Sequence, residues 1–132
     1  MDSRPIYLFV CVENACRSQM AEGIFNTLTD KAVARSAGTE IAKEINPVAI
    51  EVMKERGIDI SQQKPKVLDK KMIVNATKFI TMGCTKNYPL TPKEKTIDWN
   101  IPDPKAKNKQ YFVTVRDLIE RHIVELLKQD KL

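Results

Sequence analysis

The chain has 132 residues, 42% of them hydrophobic, which is enough for one domain with a single core and too short for two full domains. Its 22 lysine and arginine residues exceed its 17 aspartate and glutamate residues, and the resulting charge of +5 favours anionic ligands. Because the charges are dispersed and only 6% of residues are aromatic, a basic groove for single-stranded nucleic acid is disfavoured. We therefore expect one domain over residues 1–132 and no nucleic-acid partner.

The apolar segments are all shorter than the roughly 20 residues of a transmembrane helix, and residues 6–12 are too short for the hydrophobic part of a signal peptide. We expect a cytoplasmic, monomeric protein with no membrane partner. Its three cysteines, Cys11, Cys16 and Cys84, are an odd number for an intracellular chain. This disfavours structural disulfides and favours thiol chemistry, although each cysteine could instead be a small buried side chain.

Hydrophobic periodicity predicts strands that alternate with helices. The continuous apolar run over residues 6–10 is typical of a strand buried on both faces of a parallel sheet. The other predicted elements are a helix from Arg17 or Ser18 to about Thr29, a strand over 32–36, a helix from Pro47 that is closed by Gly57, a short helix over 69–75, strands over 78–82 and 96–99, and a long helix from Gln110. This alternation predicts a parallel, doubly wound sheet with right-handed crossovers.

The loop after the first strand is the expected binding site, because ligands in such folds lie beyond the carboxyl ends of the strands. Between Cys11 and Arg17 stand Val12, Glu13, Asn14, Ala15 and Cys16. Their backbone N–H groups could surround a tetrahedral oxyanion at the N-terminus of the next helix. The same environment favours the thiolate form of Cys11, to which Ser18 could donate a hydrogen bond. Arg17 is suited to bind the oxyanion through two parallel hydrogen bonds.

Acidic residues near this loop need separate explanations. The carboxylate of Glu13 would repel an anion, so we expect it to point outward to solvent. Asp103 precedes Pro104 in a predicted exposed loop, where it could protonate a departing oxygen as a general acid or serve only as a turn residue. The lysines over residues 105–109 are expected to be solvated.

Residues 10–23, with the sequence VCVENACRSQMAEG, resemble the active-site loop and first helix of the low-molecular-weight protein tyrosine phosphatase superfamily, and within it the thioredoxin-coupled arsenate reductases. Residues 36–38, 46–61, 80–84 and 98–104 agree with the same family in the same order. The resemblance implies a three-layer α/β fold in which helices flank a four-stranded parallel sheet, with the anion-binding loop after the first strand. It also implies Cys11 as nucleophile, Arg17 as anion clamp and Asp103 as general acid.

Cys84 follows a predicted strand and Gly83, which places it at the same edge of the sheet as Cys11. If the chain acts like the reductases, Cys11 attacks arsenate, Asp103 helps to expel hydroxide, and Cys84 then attacks Cys11, releasing arsenite and leaving a Cys11–Cys84 disulfide. Phosphate or sulfate would compete with arsenate, and an external thiol such as thioredoxin would reduce the disulfide. Cys84 could also be an inert buried thiol.

The chain departs from the resembled reductases at one position. They carry a further cysteine just before a proline, where this chain has Tyr88. The reductant could therefore act directly on the Cys11–Cys84 pair, or Cys16 could serve as the second redox partner. Cys16 could also protect Cys11 from over-oxidation, or simply be buried beneath the loop.

Hydrolysis of phosphotyrosine is the alternative activity, because it uses the same Cys11, Arg17 and Asp103 and needs only water for its second step. The residues favour reduction, since a phosphotyrosine ring needs aromatic or broad apolar walls and Lys105 stands where the resembled phosphatases tend to place an aromatic residue. A third hypothesis is a module that binds oxyanions or senses redox state without turnover.

The resemblance also bears on cofactors. Asn14, Glu22 and Ser36 match polar positions that in some of these reductases order the loop and bind potassium, but the matching acidic position is Lys66 here. Because a lysine ammonium group could replace a monovalent cation, we expect no bound cofactor and no required metal ion. We expect the side chain of Asn14 to bond the loop backbone and hold a strained turn.

Overall fold

A parallel β-sheet with helices on both faces forms the architecture of this protein. The computed structural model describes residues 3–83 and 93–132. The elements are β1 (Ile6–Cys11), α1 (Arg17–Leu28), β2 (Val33–Gly38), α2 (Pro47–Lys54), α3 (Lys70–Asn75), β3 (Lys78–Thr81), a 3₁₀ turn (Lys93–Lys95), β4 (Thr96–Asp98) and α4 (Lys109–Gln129). Each strand and helix predicted from the sequence is present. In the described part of the chain, no helix is both long and apolar enough to cross a membrane.

The strand order β2-β1-β3-β4 creates the binding crevice. All neighbouring strands are parallel, and Cys11 at the end of β1 lies beside Gly38 at the end of β2. The chain leaves β1 towards β2 and then returns past β1 to form β3 on its other side. The loop after β1 therefore opens at the switch point of the sheet, where folds of this type bind ligands.

The core lies on both sides of β1, as the apolar run predicts. Tyr7 and Phe9 pack in the larger cluster with residues of α1, α2 and α4, whereas Leu8 and Val10 pack in a smaller cluster with residues near α3. The three layers of the fold follow from this alternation of faces. Leu28, the last residue of α1, is 47% exposed.

The end of α4 is anchored to the sheet through Asp130. One carboxylate oxygen of Asp130 accepts hydrogen bonds from Tyr7 Oη at 2.5 Å and from Lys78 Nζ at 2.7 Å. Burial and the hydrogen bond to Asp130 raise the pKa of Tyr7 above its ordinary value. Burial also acts to raise the pKa of Asp130, but the hydrogen bonds from Lys78 and Tyr7 outweigh it and leave that pKa below its ordinary value.

Replacing Asp130 with asparagine should lower the free energy of unfolding by about 1–3 kcal/mol at pH 7, because a buried hydroxyl and an ammonium group lose a charged acceptor. Since the folded-state pKa of Asp130 is depressed, this contribution is present above pH 4 and is lost as the pH falls through the folded-state value. Urea unfolding of wild type and Asp130→Asn at several pH values measures it. Glu125→Gln, on the exposed side of α4, is the control; a difference that persists in full at low pH would contradict the assignment.

The one tryptophan of the chain, Trp99, stacks on His122 with ring centroids 4.8 Å apart. Burial lowers the pKa of His122, and the charge of Arg121 lowers it further.

Trp99 fluorescence should therefore fall on acidification with a midpoint below the ordinary histidine pKa of about 6.5, because an imidazolium ring quenches a stacked indole. A titration that survives unchanged in His122→Phe would show that another group is responsible.

Candidate active site

The anion loop, residues 11–17, joins the end of β1 to the start of α1. Three of its carbonyl oxygens face away from the pocket and accept hydrogen bonds from the segment after β2: Glu40 N donates to Val12 O at 2.9 Å, Ala42 N to Glu13 O at 3.0 Å and Asn46 N to Ala15 O at 3.0 Å. Because these carbonyls bond outward, the backbone N–H groups of the loop are left for a ligand inside it.

The N-terminus of α1 adds to this anion-binding character. The other three α-helices in the described ranges start with a side-chain cap, from Asn46, Asp69 and Asn108 respectively, whereas α1 starts after Cys16 without one. The first N–H groups of α1 are thus not satisfied by a cap, and the positive end of its dipole is directed at the loop. An oxyanion is the ligand that such a terminus favours.

The nucleophile candidate, Cys11, is buried and lies 2.9 Å from the hydroxyl of Ser18. A neighbouring amide favours Ser18 as the donor in this contact. The Oδ1 of Asn14 accepts the backbone N–H of Lys66 at 2.8 Å, so its Nδ2 donates to Ser18 Oγ at 2.7 Å. This contact uses one of the two lone pairs of the hydroxyl and leaves the Ser18 hydrogen available to donate to Cys11 Sγ, as it must when the sulfur is a thiolate.

Asn14 also has a different role from the one expected. Its backbone adopts a left-handed conformation with φ of 53°, which confirms a strained turn, but its side chain bonds Ser18 and Lys66 rather than the backbone of the loop itself. The reason is burial: Asn14 is fully inaccessible to solvent, so its amide must find partners on the elements packed around the loop.

Further residues that the sequence analysis missed support the loop. Gln19 Nε2 donates to Asn14 O at 3.0 Å, and Gln63 Nε2 donates to Gln19 Oε1 at 2.7 Å. A Cβ atom at Gly38 would lie 2.5 Å from the carbonyl oxygen of Val12, so that only glycine lets β2 approach the loop this closely. The one signal for Gln19 in the sequence is that a polar residue stands beside the apolar face of α1. Its partner Gln63 is 44 residues away in the chain, so the sequence does not show this contact.

Arg17 is held in the pocket by the ends of other strands. Its Nη1 donates to Met82 O at 2.8 Å, after β3, and to Ile101 O at 3.0 Å, after β4. Only 6% of its side chain is exposed, and its Nη2 lies 3.6 Å from a carboxylate oxygen of Asp103. The guanidinium group is therefore fixed in orientation before any ligand arrives, and it attracts the exposed carboxylate of Asp103 to the pocket.

These residues surround a cavity of about 220 Å³. The described residues that line it are Cys11, Val12, Glu13, Ala15, Cys16, Arg17, Asp103 and Lys105. The structure thus brings together the predicted nucleophile, anion clamp and general acid, and none of the described lining residues is aromatic.

One expectation about the charged residues around this cavity is wrong. Glu13 does not point freely to solvent: it lines the cavity and forms an ion pair with Lys105. The lysines over residues 105–109 are exposed, as expected, although Lys105 also lines the cavity and Lys109 also pairs with Glu51 and Glu55 of the α2 region. A carboxylate near an anion site or on a neighbouring helix is stabilised by a cation within reach.

Cys16, the second cysteine of the anion loop, has a raised pKa. Burial raises the pKa of Cys16 to about 12, and the negative charges of Asp103 and Cys11 add to this effect. Cys16 is therefore a protonated thiol at neutral pH and a poor nucleophile. Cys84 lies outside the described residues, as does Tyr88.

The ammonium group of Lys66 lies near the carboxylate of Glu22. Ser36 Oγ donates to Glu22 Oε1 at 2.6 Å, and Lys66 Nζ is 3.9 Å from the same oxygen and donates to Lys64 O at 3.0 Å. The ammonium group of Lys66 thus gives Glu22 a positive partner at this place. Across residues 3–83 and 93–132, no three His, Cys, Asp or Glu side chains are grouped so as to hold a metal ion.

Comparison with known proteins identifies the relatives of this chain. Residues 7–131 match the family model of the low molecular weight phosphotyrosine protein phosphatases. Arsenate reductase 2 of Staphylococcus epidermidis is 41% identical over 127 residues, which are 93% of this chain and 95% of that protein.

Solved structures of both activity classes share the fold. An arsenate reductase in its phosphate-binding state matches 95% of this chain and 98% of its own with a TM-score of 0.86 and 34% identity. The thioredoxin-dependent arsenate reductase of Corynebacterium glutamicum matches 98% of this chain, but only 63% of its own, with a TM-score of 0.83 and 34% identity. A low molecular weight protein tyrosine phosphatase from T. tengcongensis matches 95% of this chain and 99% of its own with a TM-score of 0.84 and 27% identity. By sequence and by fold, the chain belongs to the low molecular weight phosphotyrosine protein phosphatase family.

Proposed function

We propose that this protein is an arsenate reductase that uses Cys11 as its nucleophile and Cys84 as its resolving thiol. The observation that carries the proposal is the Cys11 cavity, in which a thiol, Arg17 and Asp103 surround a space of about 220 Å³ with no aromatic residue among its described lining. That space suits a bare tetrahedral oxyanion. The 41% identity with a staphylococcal arsenate reductase over almost the whole chain supports the same activity.

The residues of the cavity can carry the first step. The thiolate of Cys11 attacks arsenic and forms a sulfur–arsenic bond, while a hydroxyl group of arsenate takes a proton from Asp103 and leaves as water as its arsenic–oxygen bond breaks. The backbone N–H groups of the loop and the guanidinium of Arg17 stabilise the charge on the remaining oxygens. Because Arg17 is already held by two carbonyl groups, it needs no rearrangement to do so.

The second step transfers two electrons to arsenic. The thiolate of Cys84 attacks Cys11 Sγ and forms a disulfide, and the electron pair of the sulfur–arsenic bond stays on arsenic, which leaves as arsenite. In the sequence, Cys84 comes directly after Gly83 and shortly after the last residue of β3, which supports this role. The alternative partner, Cys16, is disfavoured because its raised pKa keeps it protonated at neutral pH.

An external dithiol must then reduce the Cys11–Cys84 disulfide, and in doing so it becomes a disulfide itself. Thioredoxin or a similar protein is the proposed reductant, which fits a cytoplasmic location, and the similarity to a thioredoxin-dependent reductase supports this. Because Tyr88 replaces the further cysteine of the resembled reductases, we propose that the reductant attacks the Cys11–Cys84 pair directly.

Phosphotyrosine hydrolysis is the second candidate, favoured by the family model that matches residues 7–131. Its first step uses the same nucleophile, clamp and acid, and water then releases phosphate from Cys11. Slow hydrolysis of aryl phosphates is therefore compatible with arsenate reduction in the same protein.

Mixing the fully reduced protein with one equivalent of arsenate, without added reductant, should yield one arsenite and a Cys11–Cys84 disulfide per chain. Cys84→Ser should stop this reaction while aryl phosphate hydrolysis continues, because hydrolysis needs no resolving thiol. Cys16→Ser should still form the disulfide. Mass spectrometry with disulfide mapping and arsenite quantification tests these outcomes; three free thiols and no arsenite in the wild type would exclude reduction.

We also propose that Lys66 takes the place of a monovalent cation beneath the loop. Replacing potassium with choline at constant ionic strength should then change kcat/KM by less than twofold. Lys66→Ala should lower kcat/KM, and potassium should partly restore it by pairing with Glu22. Lys64→Ala, which keeps the backbone carbonyl that Lys66 contacts, is the matched control. A wild-type enzyme that requires potassium would refute this role for Lys66.

A further inference from the structure

An ion pair between Glu13 and Lys105 joins two segments that line the Cys11 cavity. Glu13 belongs to the anion loop, whereas Lys105 follows the general-acid candidate Asp103, so the pair connects residues 92 positions apart. Both side chains are partly exposed, by 36% for Glu13 and 56% for Lys105. The pair therefore lies on the solvent-exposed part of the cavity lining, whereas Cys11 is buried.

Backbone hydrogen bonds fix both ends of this pair. The carbonyl oxygen of Glu13 accepts a hydrogen bond from Ala42 N at 3.0 Å, which holds this part of the loop from outside. The backbone N–H of Lys105 donates to Asp103 Oδ1 at 3.0 Å. The first bond ties the loop to the segment after β2, and the second keeps Lys105 next to the general-acid candidate, so the two side chains meet beside the cavity.

The charges of the pair matter for an anionic ligand. Glu13 belongs to the same loop as the N–H groups that would bind an oxyanion, so its carboxylate alone would repel that anion. Lys105 compensates the negative charge. The hydrogen bond with Glu13 raises the pKa of Lys105, and the charge of Glu13 raises it further, so the lysine is charged at neutral pH. The pair thus adds bulk to this side of the cavity while leaving its net charge unchanged.

We propose that the Glu13–Lys105 ion pair is a specificity determinant that restricts the cavity to bare tetrahedral oxyanions and disfavours aryl phosphate esters. The proposal deepens the proposed function, on which it rests, by naming the substrate class. A bare oxyanion fits beneath the pair, whereas the ring of an ester must extend towards solvent and displace it. The cavity of about 220 Å³ is below the roughly 300–1,000 Å³ of pockets that hold larger organic ligands.

A charge-neutral double variant, Glu13→Ala with Lys105→Ala, separates bulk from charge. Calorimetry of the full chain gives the Kd of inorganic phosphate and of phenylphosphonate, a ring-bearing analogue that cannot be hydrolysed. In the double variant, the ratio of the phenylphosphonate Kd to the phosphate Kd should fall about fivefold, the factor expected when a ligand no longer displaces one exposed ion pair. The matched control is Glu51→Ala with Lys109→Ala, which removes another exposed ion pair, between α2 and α4, and should leave the ratio unchanged.

A ratio in the double variant within twofold of the wild type would overturn the proposal. The near-isosteric single variants Glu13→Gln and Lys105→Met provide a second measurement that does not depend on the folding of the double variant. Each should lower the ratio; if each shifts both Kd values by the same factor, the residues act only through their charge and the proposal is wrong. Because these measurements involve no redox step, a protein that fails to reduce arsenate would refute the proposed function without deciding this inference.

Discussion

The buried amide of Asn14 is the constraint on which the candidate site depends. Five residues between β1 and α1 must surround one point with their N–H groups, and this requires a left-handed conformation at Asn14, which is unfavourable for most residues. The hydrogen bonds of its side chain with Lys66 N and Ser18 Oγ offset that cost. The contact with Ser18 also leaves the hydrogen of that hydroxyl available to Cys11, so one side chain supports both the shape of the loop and the surroundings of its thiol.

The loop also makes two nearby cysteines chemically different. Cys11 has the Ser18 hydroxyl at 2.9 Å and lies where the end of β1 meets the dipole of α1. Cys16 is equally buried but meets the negative charges of Asp103 and Cys11, which raise its pKa. Cys16 therefore stays protonated at neutral pH, whereas the sulfur of Cys11 has a hydroxyl group within hydrogen-bond distance.

Reduction and hydrolysis share a first chemical step, so the groups around the reacting sulfur do not separate them. They differ in what must fit above the oxyanion and in what attacks next. In this chain the described part of the cavity carries an ion pair, Glu13–Lys105, which we propose to disfavour a ring. Cys84, the proposed resolving thiol, follows β3 in the sequence. The proposed roles of the ion pair and of Cys84 both correspond to reduction rather than to ester hydrolysis.

The sequence by itself determined the succession of strands and helices along the chain and the position of the anion loop between the first strand and the first helix. These signals are local: an apolar run over residues 6–10, then Cys11 and Arg17 before a helical pattern. Only the tertiary structure decided that Arg17 is anchored by Met82 and Ile101 and that Glu13 turns to Lys105. These contacts join positions 65 to 92 residues apart and involve single residues with no periodicity. They arise because parallel strands bring their carboxyl ends to one edge of the sheet, where polar side chains distant in the chain must pair with one another.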